Sequence, residues 1–314
     1  MNLLDMVIYM KYKFFNKFKF LYNFLIPHWH IKYTLILPSL IFLFIMVIFP
    51  LLYSFRLSFF SWNLLRFTIP PKFIGIRNYA TLFTDWRVLN SLKLSLYFIV
   101  GSVSLELILG LGLALLSVRN LRGESIYRTT LLIPLMIAPV VAGFTWLFMF
   151  HSDFGCIPQI LNFLGFKTLA SLPILGDRNL VLPAIIFVDV WKSTPFVTLV
   201  MTAGLLSIPS EPYEAALVDG ASRLQIFRYI TLPLLRPVIL VALLIRTIHN
   251  ISFFDIPFIM TGGGPGTSSE LLSLYNYTVA FNNFNMGYGA AISFLVLAVS
   301  AVFSIAYMCI FFKK

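Results

Sequence analysis

Six long apolar stretches, separated by shorter polar and charged segments, dominate the sequence. They cover about residues 33–55, 94–118, 129–150, 181–207, 237–260 and 288–312. A bilayer core about 30 Å thick requires roughly 20 apolar residues in a helix, so each stretch is long enough to cross a membrane. Several contain prolines, but neighbouring helices can satisfy the backbone groups that a proline frees. The pattern predicts an all-α, polytopic membrane protein with six transmembrane helices.

The overall composition excludes two other classes of protein. Only 11% of the 314 residues are charged and 59% are hydrophobic, whereas a soluble domain carries about 25% charged residues. A soluble enzyme and a disordered chain are therefore both excluded. The histidines (His28, His30, His151 and His249) and the cysteines (Cys156 and Cys309) are scattered. We therefore expect no metal site, no disulfide and no enzymatic activity in this chain.

The distribution of Lys and Arg predicts the orientation of the helices. With the N-terminus inside, the inner segments hold thirteen Lys and Arg residues and the outer segments hold eight, and the loop 261–287 holds none. Cytoplasmic segments are normally the richer in Lys and Arg, so both termini are predicted to be cytoplasmic. This divides the chain into a basic and aromatic N-terminal segment 1–32, a transmembrane domain 33–312 and a short tail 313–314. Residues 10–25 could form an interfacial helix or simply a charged flank.

The polar segment 210–236, between the fourth and fifth stretches, is predicted to form two short helices on the cytoplasmic side. Ser210 can cap the first helix, Pro212 suits its opening turn, and Gly220 can adopt the left-handed conformation that closes it. Ser222 can cap the second helix, which is expected to stop near Pro233. Ala215 and Ala216 would leave a smooth face for another surface. Physical reasoning alone predicts only a compact helical hairpin.

This segment resembles a known motif. Glu214-Ala215-Ala216, three residues, Gly220, nine residues and Ile230-Thr231-Leu232-Pro233 are similar to the signature loop of the permease subunits of ABC importers. In that family the loop contains a coupling helix that sits in a cleft of a cytoplasmic ATPase. The resemblance implies the ABC importer type I permease fold. It also implies that the coupling residues here are Glu214, Ala215, Ala216, Gly220, Ile230, Leu232 and Pro233.

Further motifs resemble the carbohydrate-uptake branch of these permeases. They are Phe73-Ile-Gly75-Ile-Arg-Asn78-Tyr79, Trp191-Lys192-Ser-Thr-Pro195-Phe196, Phe254-Asp255 and Thr261-Gly-Gly-Gly-Pro265. The resemblance implies a bacterial cytoplasmic-membrane complex with a second, related permease, two copies of an ABC ATPase and an extracytoplasmic solute-binding protein. The glycine-rich element lacks the Gly-Lys-Ser/Thr ending of a phosphate-binding loop. We therefore expect no cofactor in this chain, with ATP and Mg²⁺ bound by the partner ATPase.

Polar residues inside the predicted helices are the candidates for solute binding. Charges at bilayer depth are costly, so they usually face a cavity or a partner. Offsets of three or four place two sets of side chains on one helix face each, and each set combines hydrogen-bonding groups with a ring, as a sugar requires. The candidates are Asp189, Lys192, Ser193, Phe196, Arg246, His249, Asn250 and Phe253. Asp189 with Lys192, or Arg246 with Asp255, could instead be structural pairs, and Glu106 could line the cavity or bond across helices.

The function predicted from these features is that of a permease subunit of a binding-protein-dependent ABC importer. It would form the pathway for a sugar or oligosaccharide and couple that pathway to the ATPase. One alternative is a transporter driven by an ion gradient, which Glu106, Asp189 and His249 could serve. Another keeps the permease role and changes the solute to a glycerol phosphate or another polyol derivative.

Overall fold

The computed structural model describes residues 28–66, 68–119 and 124–311. The expectations for residues 1–27 and for the tail 313–314 lie outside this part of the chain. The α-helices are α1 His28–Leu43, α2 Phe49–Leu57, α3 Arg77–Leu82, α4 Trp86–Ser117, α5 Glu124–Met136, α6 Pro139–Met149, α7 Cys156–Phe163, α8 Lys167–Ala170, α9 Val181–Leu206, α10 Glu211–Val218, α11 Arg223–Ile226, α12 Leu232–Ile251, α13 Asp255–Thr261, α14 Leu272–Tyr277 and α15 Met286–Phe311. Short π-helical turns cover Phe44–Ile48, Phe227–Thr231 and Thr278–Asn282, and a 3₁₀ turn covers Leu64–Arg66. Two short strands, β1 Phe60–Ser61 and β2 Lys72–Phe73, pair antiparallel.

The prediction of an all-α membrane protein is confirmed. The described residues contain five helices long and apolar enough to cross a membrane, and up to six if one bent pair counts as a single span. The five are Leu35–Leu57, Trp86–Ser117, Val181–Leu206, Arg223–Ile251 and Met286–Phe311. Residues 28–56 belong to a compact unit of their own, and the apolar window of its helix has no buried residue. The second compact unit begins at Leu57 and contains the features described below.

The third predicted span, 129–150, is broken. The two helices Thr129–Met136 and Pro139–Met149 meet at an angle of 99°. Ala138, directly before Pro139, has the extended conformation φ −59°, ψ 140°. A residue before proline is driven out of the helical region because the proline ring clashes with its backbone, so the helix ends there and a new one begins.

The fifth predicted span, 237–260, is wrong at both ends. The helix begins at Arg223 and ends at Ile251. The second helix of the hairpin therefore does not stop near Pro233, as the sequence predicted, but continues into the membrane span. The π-helical turn Phe227–Thr231 ends two residues before this proline. Such a turn is a usual place for a helix to absorb a missing hydrogen bond. Beyond Ile251 a separate helix starts at Asp255, because in a continuous helix the ring of Pro257 would clash with the carbonyl of Phe253.

The connection between α13 and α14 is tied to the start of α4. The Arg87 guanidinium donates to both carboxylate oxygens of Glu270, at 3.0 and 2.6 Å. Asp85, the N-cap of α4, accepts hydrogen bonds from the hydroxyls of Tyr275 and Tyr288, both at 2.8 Å. Burial alone would raise the pKa of Asp85, but these two bonds and two backbone bonds lower it overall. Hydrogen bonds and an ion pair therefore hold together three segments that are distant in the chain, at residues 85–87, 270–275 and 288.

Helices α4 and α9 form the most extensive helix–helix contact in the described chain. Their interface buries Phe98, Ile99, Ile185 and Val188 completely or almost so. Further along the same interface α4 approaches α9 closely at Gly110, where a β-carbon would lie 2.6 Å from Cγ1 of Val197. Only glycine permits this approach without displacement of the neighbouring helix.

We predict that Gly110→Ala lowers the thermal stability of the detergent-solubilised protein. The added methyl group overpacks the contact between α4 and α9, which costs about 1–3 kcal/mol. Gly112→Ala is the matched control, because no atom lies within 4 Å of the position that its added methyl group would take and alanine is the better helix former. Equal melting temperatures for the two variants would contradict the packing at Gly110.

Candidate functional site

A cavity of about 440 Å³ lies where the two broken helices meet the intact helix α9. Its wall includes the end of α5, the start of α6, one face of α9, the last turns of α12 and the break before α13. The lining residues are Leu135, Pro139, Asp189, Lys192, Ser193, Phe196, Ile245, Arg246, His249, Ser252, Phe253, Phe254 and Asp255. Prolines and helix ends thus open a partly polar cavity among otherwise apolar helices.

Most of the predicted site residues lie together in this wall. Seven of the eight candidates line the cavity, and Asn250 does not. Asn250 is only 1% exposed, and it lies behind the wall, where its Nδ2 donates to Asp189 at 3.0 Å. The helical spacing therefore selected side chains of α9 and α12 that share one cavity wall. The contact of these residues with a solute stays a prediction.

A buried ion cluster, partly in this wall and partly behind it, joins helices α4, α9 and α12. The Arg246 guanidinium on α12 donates to both carboxylate oxygens of Glu106 on α4, through Nε at 2.6 Å and Nη2 at 2.8 Å. Nη2 also contacts Asp189 Oδ1 on α9 at 3.2 Å and Asn250 Oδ1 at 2.9 Å. Glu106 and Asp189 are fully buried, and Arg246 is 5% exposed. Bidentate geometry is the strongest form of such a pair, and it offsets the cost of burying these charges.

This cluster decides between the alternatives that the sequence left open. Arg246 forms its ion pairs with Glu106 and Asp189 rather than with Asp255. Asp189 likewise has Arg246 as its ion-pair partner rather than Lys192. Glu106, which could have lined the cavity, bonds across helices instead. Its spacing in α4 gave no signal of this partner, because the two residues are 140 positions apart.

The aromatic side chains of the cavity differ in what they expose. The ring of Phe253 stacks on Phe98 with a centroid distance of 5.1 Å and is 6% exposed. Phe196 and Phe254 are half-buried, and Phe254 stacks on Phe258 at 5.0 Å. Phe196 and Phe254 are therefore less buried than Phe253, although Phe254 and Phe253 each have a stacked partner.

The hairpin 210–236 is folded largely as the sequence predicted. Gly220 has φ +72°, and the bonds from Gly220 N to Leu217 O and from Ala221 N to Ala216 O close α10 in a Schellman motif. Ser222 caps α11 in a capping box with Gln225. Ser210 occupies the N-cap position of α10 but makes no side-chain capping bond.

The residues of the signature loop divide into two sets. Glu214, Ala215 and Gly220 are exposed. Ala216 is 8% exposed, so the two alanines do not form one open face, which corrects that expectation. Ile230, Leu232 and Pro233 are half-buried and lie in the long helix Arg223–Ile251. The exposed residues Glu214, Ala215 and Gly220 are available to a partner. The half-buried residues lie where the hairpin continues into the membrane-spanning helix.

These features define a helical membrane protein with a polar cavity between its spans and a compact helical hairpin in one of its connections, as expected of a transport subunit. Residues 106–311 match the family described as "Binding-protein-dependent transport system inner membrane component". The chain belongs to this family. The matched region contains both the cavity and the hairpin.

Individual relatives and a solved structure agree with this assignment. The chain is 39% identical to the trehalose/maltose transport system permease protein MalF of Thermococcus litoralis, over 88% of this chain and 92% of that protein. It is 37% identical to the sulfoquinovosyl glycerol transport system permease protein SmoG of Agrobacterium fabrum, over 89% and 90%. The fold resembles a chain of a bacterial alginate ABC transporter in complex with an alginate pentasaccharide-bound periplasmic protein. That comparison has a TM-score of 0.77 at 23% identity and covers 92% of this chain and 96% of that chain.

We predict that Arg246→Met strongly destabilises the protein, because it leaves the Glu106 and Asp189 carboxylates buried without their cation. Breaking a buried pair in this way costs about 3–5 kcal/mol. Thermal unfolding in detergent measures the loss. The double variant Arg246→Met/Glu106→Gln should recover part of it, because one uncompensated charge is removed as well.

The matched control is Arg236→Met, which removes an exposed arginine from the same long helix. It should leave the melting temperature nearly unchanged. If both single variants lost the same stability, the loss would come from the helix in general and not from the ion cluster.

Proposed function

We propose that this chain is a permease subunit of an ABC importer for a sugar or oligosaccharide, and that the cavity is part of the solute pathway. The observation that carries the proposal is the meeting of the predicted polar and aromatic residues in one cavity wall. Hydroxyl groups of a sugar would bond to side chains such as Lys192 and Ser193, and its C–H face would pack on Phe196 or Phe254. A volume of about 440 Å³ lies within the range of small-molecule sites, about 300–1,000 Å³.

The names of the relatives support a sugar as the solute. Trehalose and maltose, two uncharged sugars, occur in the name of one relative, and sulfoquinovosyl glycerol, a sugar derivative with a sulfonate group, occurs in the name of another. In this chain the hydrogen-bonding groups and rings of the cavity wall are the chemistry that such solutes require. The chain itself would hold neither ATP nor Mg²⁺ and would catalyse no reaction.

The hairpin 210–236 would be the coupling segment for a cytoplasmic ATPase. Its exposed residues Glu214, Ala215 and Gly220 would contact the ATPase, and its half-buried residues would pass the motion on. The long helix Arg223–Ile251 runs from this hairpin to Arg246 at the cavity wall. A displacement of the hairpin would therefore move one wall of the solute pathway directly.

The complete importer would contain a second, related permease, two copies of the ATPase and a solute-binding protein outside the cytoplasmic membrane. Both termini would be cytoplasmic, since this orientation places the hairpin on the side of the ATPase. ATPase closure on ATP would open the pathway to the loaded binding protein, and hydrolysis would reset it.

Affinity purification from native membranes in mild detergent tests this assembly. We expect a cytoplasmic ATPase and a second permease to copurify with the chain. Glu214→Lys should lose the ATPase and retain the permease, because it reverses an exposed charge of the hairpin. Purification as a lone chain or a homodimer would contradict the importer and favour a transporter driven by an ion gradient.

A second test addresses the backbone of the hairpin. We predict that Gly220→Val abolishes ATP-driven sugar uptake, because a β-branched residue is strained at φ +72° and would displace the turn between the two hairpin helices. Gly165→Val is the matched control, since Gly165 also has a positive φ (+89°) and open space around it but lies outside the hairpin. Normal uptake by Gly220→Val, or equal loss in both variants, would contradict the coupling role.

A further inference from the structure

Arg246 lies at the cavity wall, but the Nε and Nη2 donors of its guanidinium are already engaged by other side chains. Nε and Nη2 contact the two oxygens of Glu106, and Nη2 also contacts Asp189 and Asn250. Nη1 lies 3.3 Å from His249 Nδ1. An arginine recognises a carboxylate or a phosphate by offering two parallel N–H groups. Here that pair of donors is directed at Glu106 and is not available to a solute.

The charges around the cavity also favour one class of solute. Among the described residues, Asp189, Lys192, Arg246 and Asp255 line the cavity, and Glu106 lies directly behind Arg246. Three carboxylates therefore face two cations, with His249 counted as neutral and Glu106 counted as a carboxylate because both of its oxygens accept from the Arg246 guanidinium. Because the cluster is removed from water, its excess negative charge is weakly screened and acts on a solute in the cavity.

We propose that the Glu106–Arg246–Asp189 cluster makes the cavity accept uncharged sugars and reject anionic ones, and that Glu106 is the residue that decides this selectivity. The proposal rests on the proposed function in sugar uptake. Glu106 does not line the cavity, so it acts through Arg246 as a specificity-determining positioning residue. The same arrangement disfavours a glycerol phosphate or another phosphorylated polyol as the solute.

The test is a comparison of matched neutral and anionic probes on the assembled transporter. The complex is purified with its copurifying subunits, placed in nanodiscs without the binding protein, and titrated with trehalose, maltose and sucrose. Trehalose 6-phosphate, maltobionate and sucrose 6-phosphate are the anionic counterparts. We expect the wild-type complex to prefer the neutral member of a pair by about tenfold or more, and Glu106→Gln to reduce this ratio by about tenfold, because one buried charge close to the cavity is removed.

Two variants serve as controls for Glu106→Gln. Glu106→Asp retains the charge and should retain the preference for neutral probes. Ser102→Ala changes a buried residue one turn away on the same helix, whose hydroxyl has no partner within the described chain, and should leave the ratio unchanged. A purely structural role of Glu106 would weaken the binding of both members of a pair equally. An unchanged ratio in Glu106→Gln, or a wild-type complex that binds the anionic probes as tightly, would overturn the proposal.

A further variant covers the case in which Glu106→Gln does not assemble. Asp255 is exposed at the cavity wall, so Asp255→Asn removes one of the excess charges without changing the buried cluster. It should reduce the ratio several-fold because it lowers the same excess negative charge, and an unchanged ratio would overturn the charge mechanism on which the role of Glu106 depends. Sugar uptake by the wild-type transporter with ATP and its binding protein is measured separately. Failure of that uptake would contradict the proposed function, whereas normal uptake with an unchanged ratio would contradict only the role of Glu106.

Discussion

The pairing of Arg246 with Glu106 and Asp189 is the interaction on which the centre of this protein depends. Each of these residues comes from a different membrane-spanning helix, and none of them could be buried alone at low cost. Together they satisfy one another, so helices α4, α9 and α12 must lie in one register for the cluster to form. The same cluster supplies part of the cavity wall and its charge. The packing of three helices and the charge of the cavity wall therefore depend on the same three side chains.

The cavity exists because two helices of the bundle are interrupted. The 99° bend before Pro139 and the break between Ile251 and Asp255 both lie beside it, and residues of both breaks line it. Irregular backbone at membrane depth is tolerated where it lines a cavity or is buried in protein. Prolines here act in two ways, since Pro139 and Pro257 mark interruptions, whereas Pro233 and Pro237 lie inside a continuous helix.

The long helix Arg223–Ile251 connects the hairpin and the cavity physically. At 1.5 Å per residue its 29 residues extend over roughly 40 Å, longer than the apolar core of a bilayer. The hairpin lies at one end, and Arg246, His249 and Asn250 lie near the other. This geometry gives the proposed coupling a mechanical basis in a single element, because the hairpin and the cavity wall share one continuous helix.

The sequence by itself determined the class of the protein, the positions of most spans and the local conformation of the hairpin. Hydrophobic length, the spacing of polar residues and the conformational preferences of Gly220 and Ser222 are local properties, and they identified seven of the residues that line the cavity. Only the tertiary structure decided what Arg246 pairs with, because Glu106 is 140 residues away in the chain and the sequence offered Asp255, which is close in the chain, as the partner. It also decided which prolines break a helix, since a missing backbone bond can be absorbed by a π-helical turn or relieved by a bend. That outcome depends on the packing around each proline and not on the proline itself.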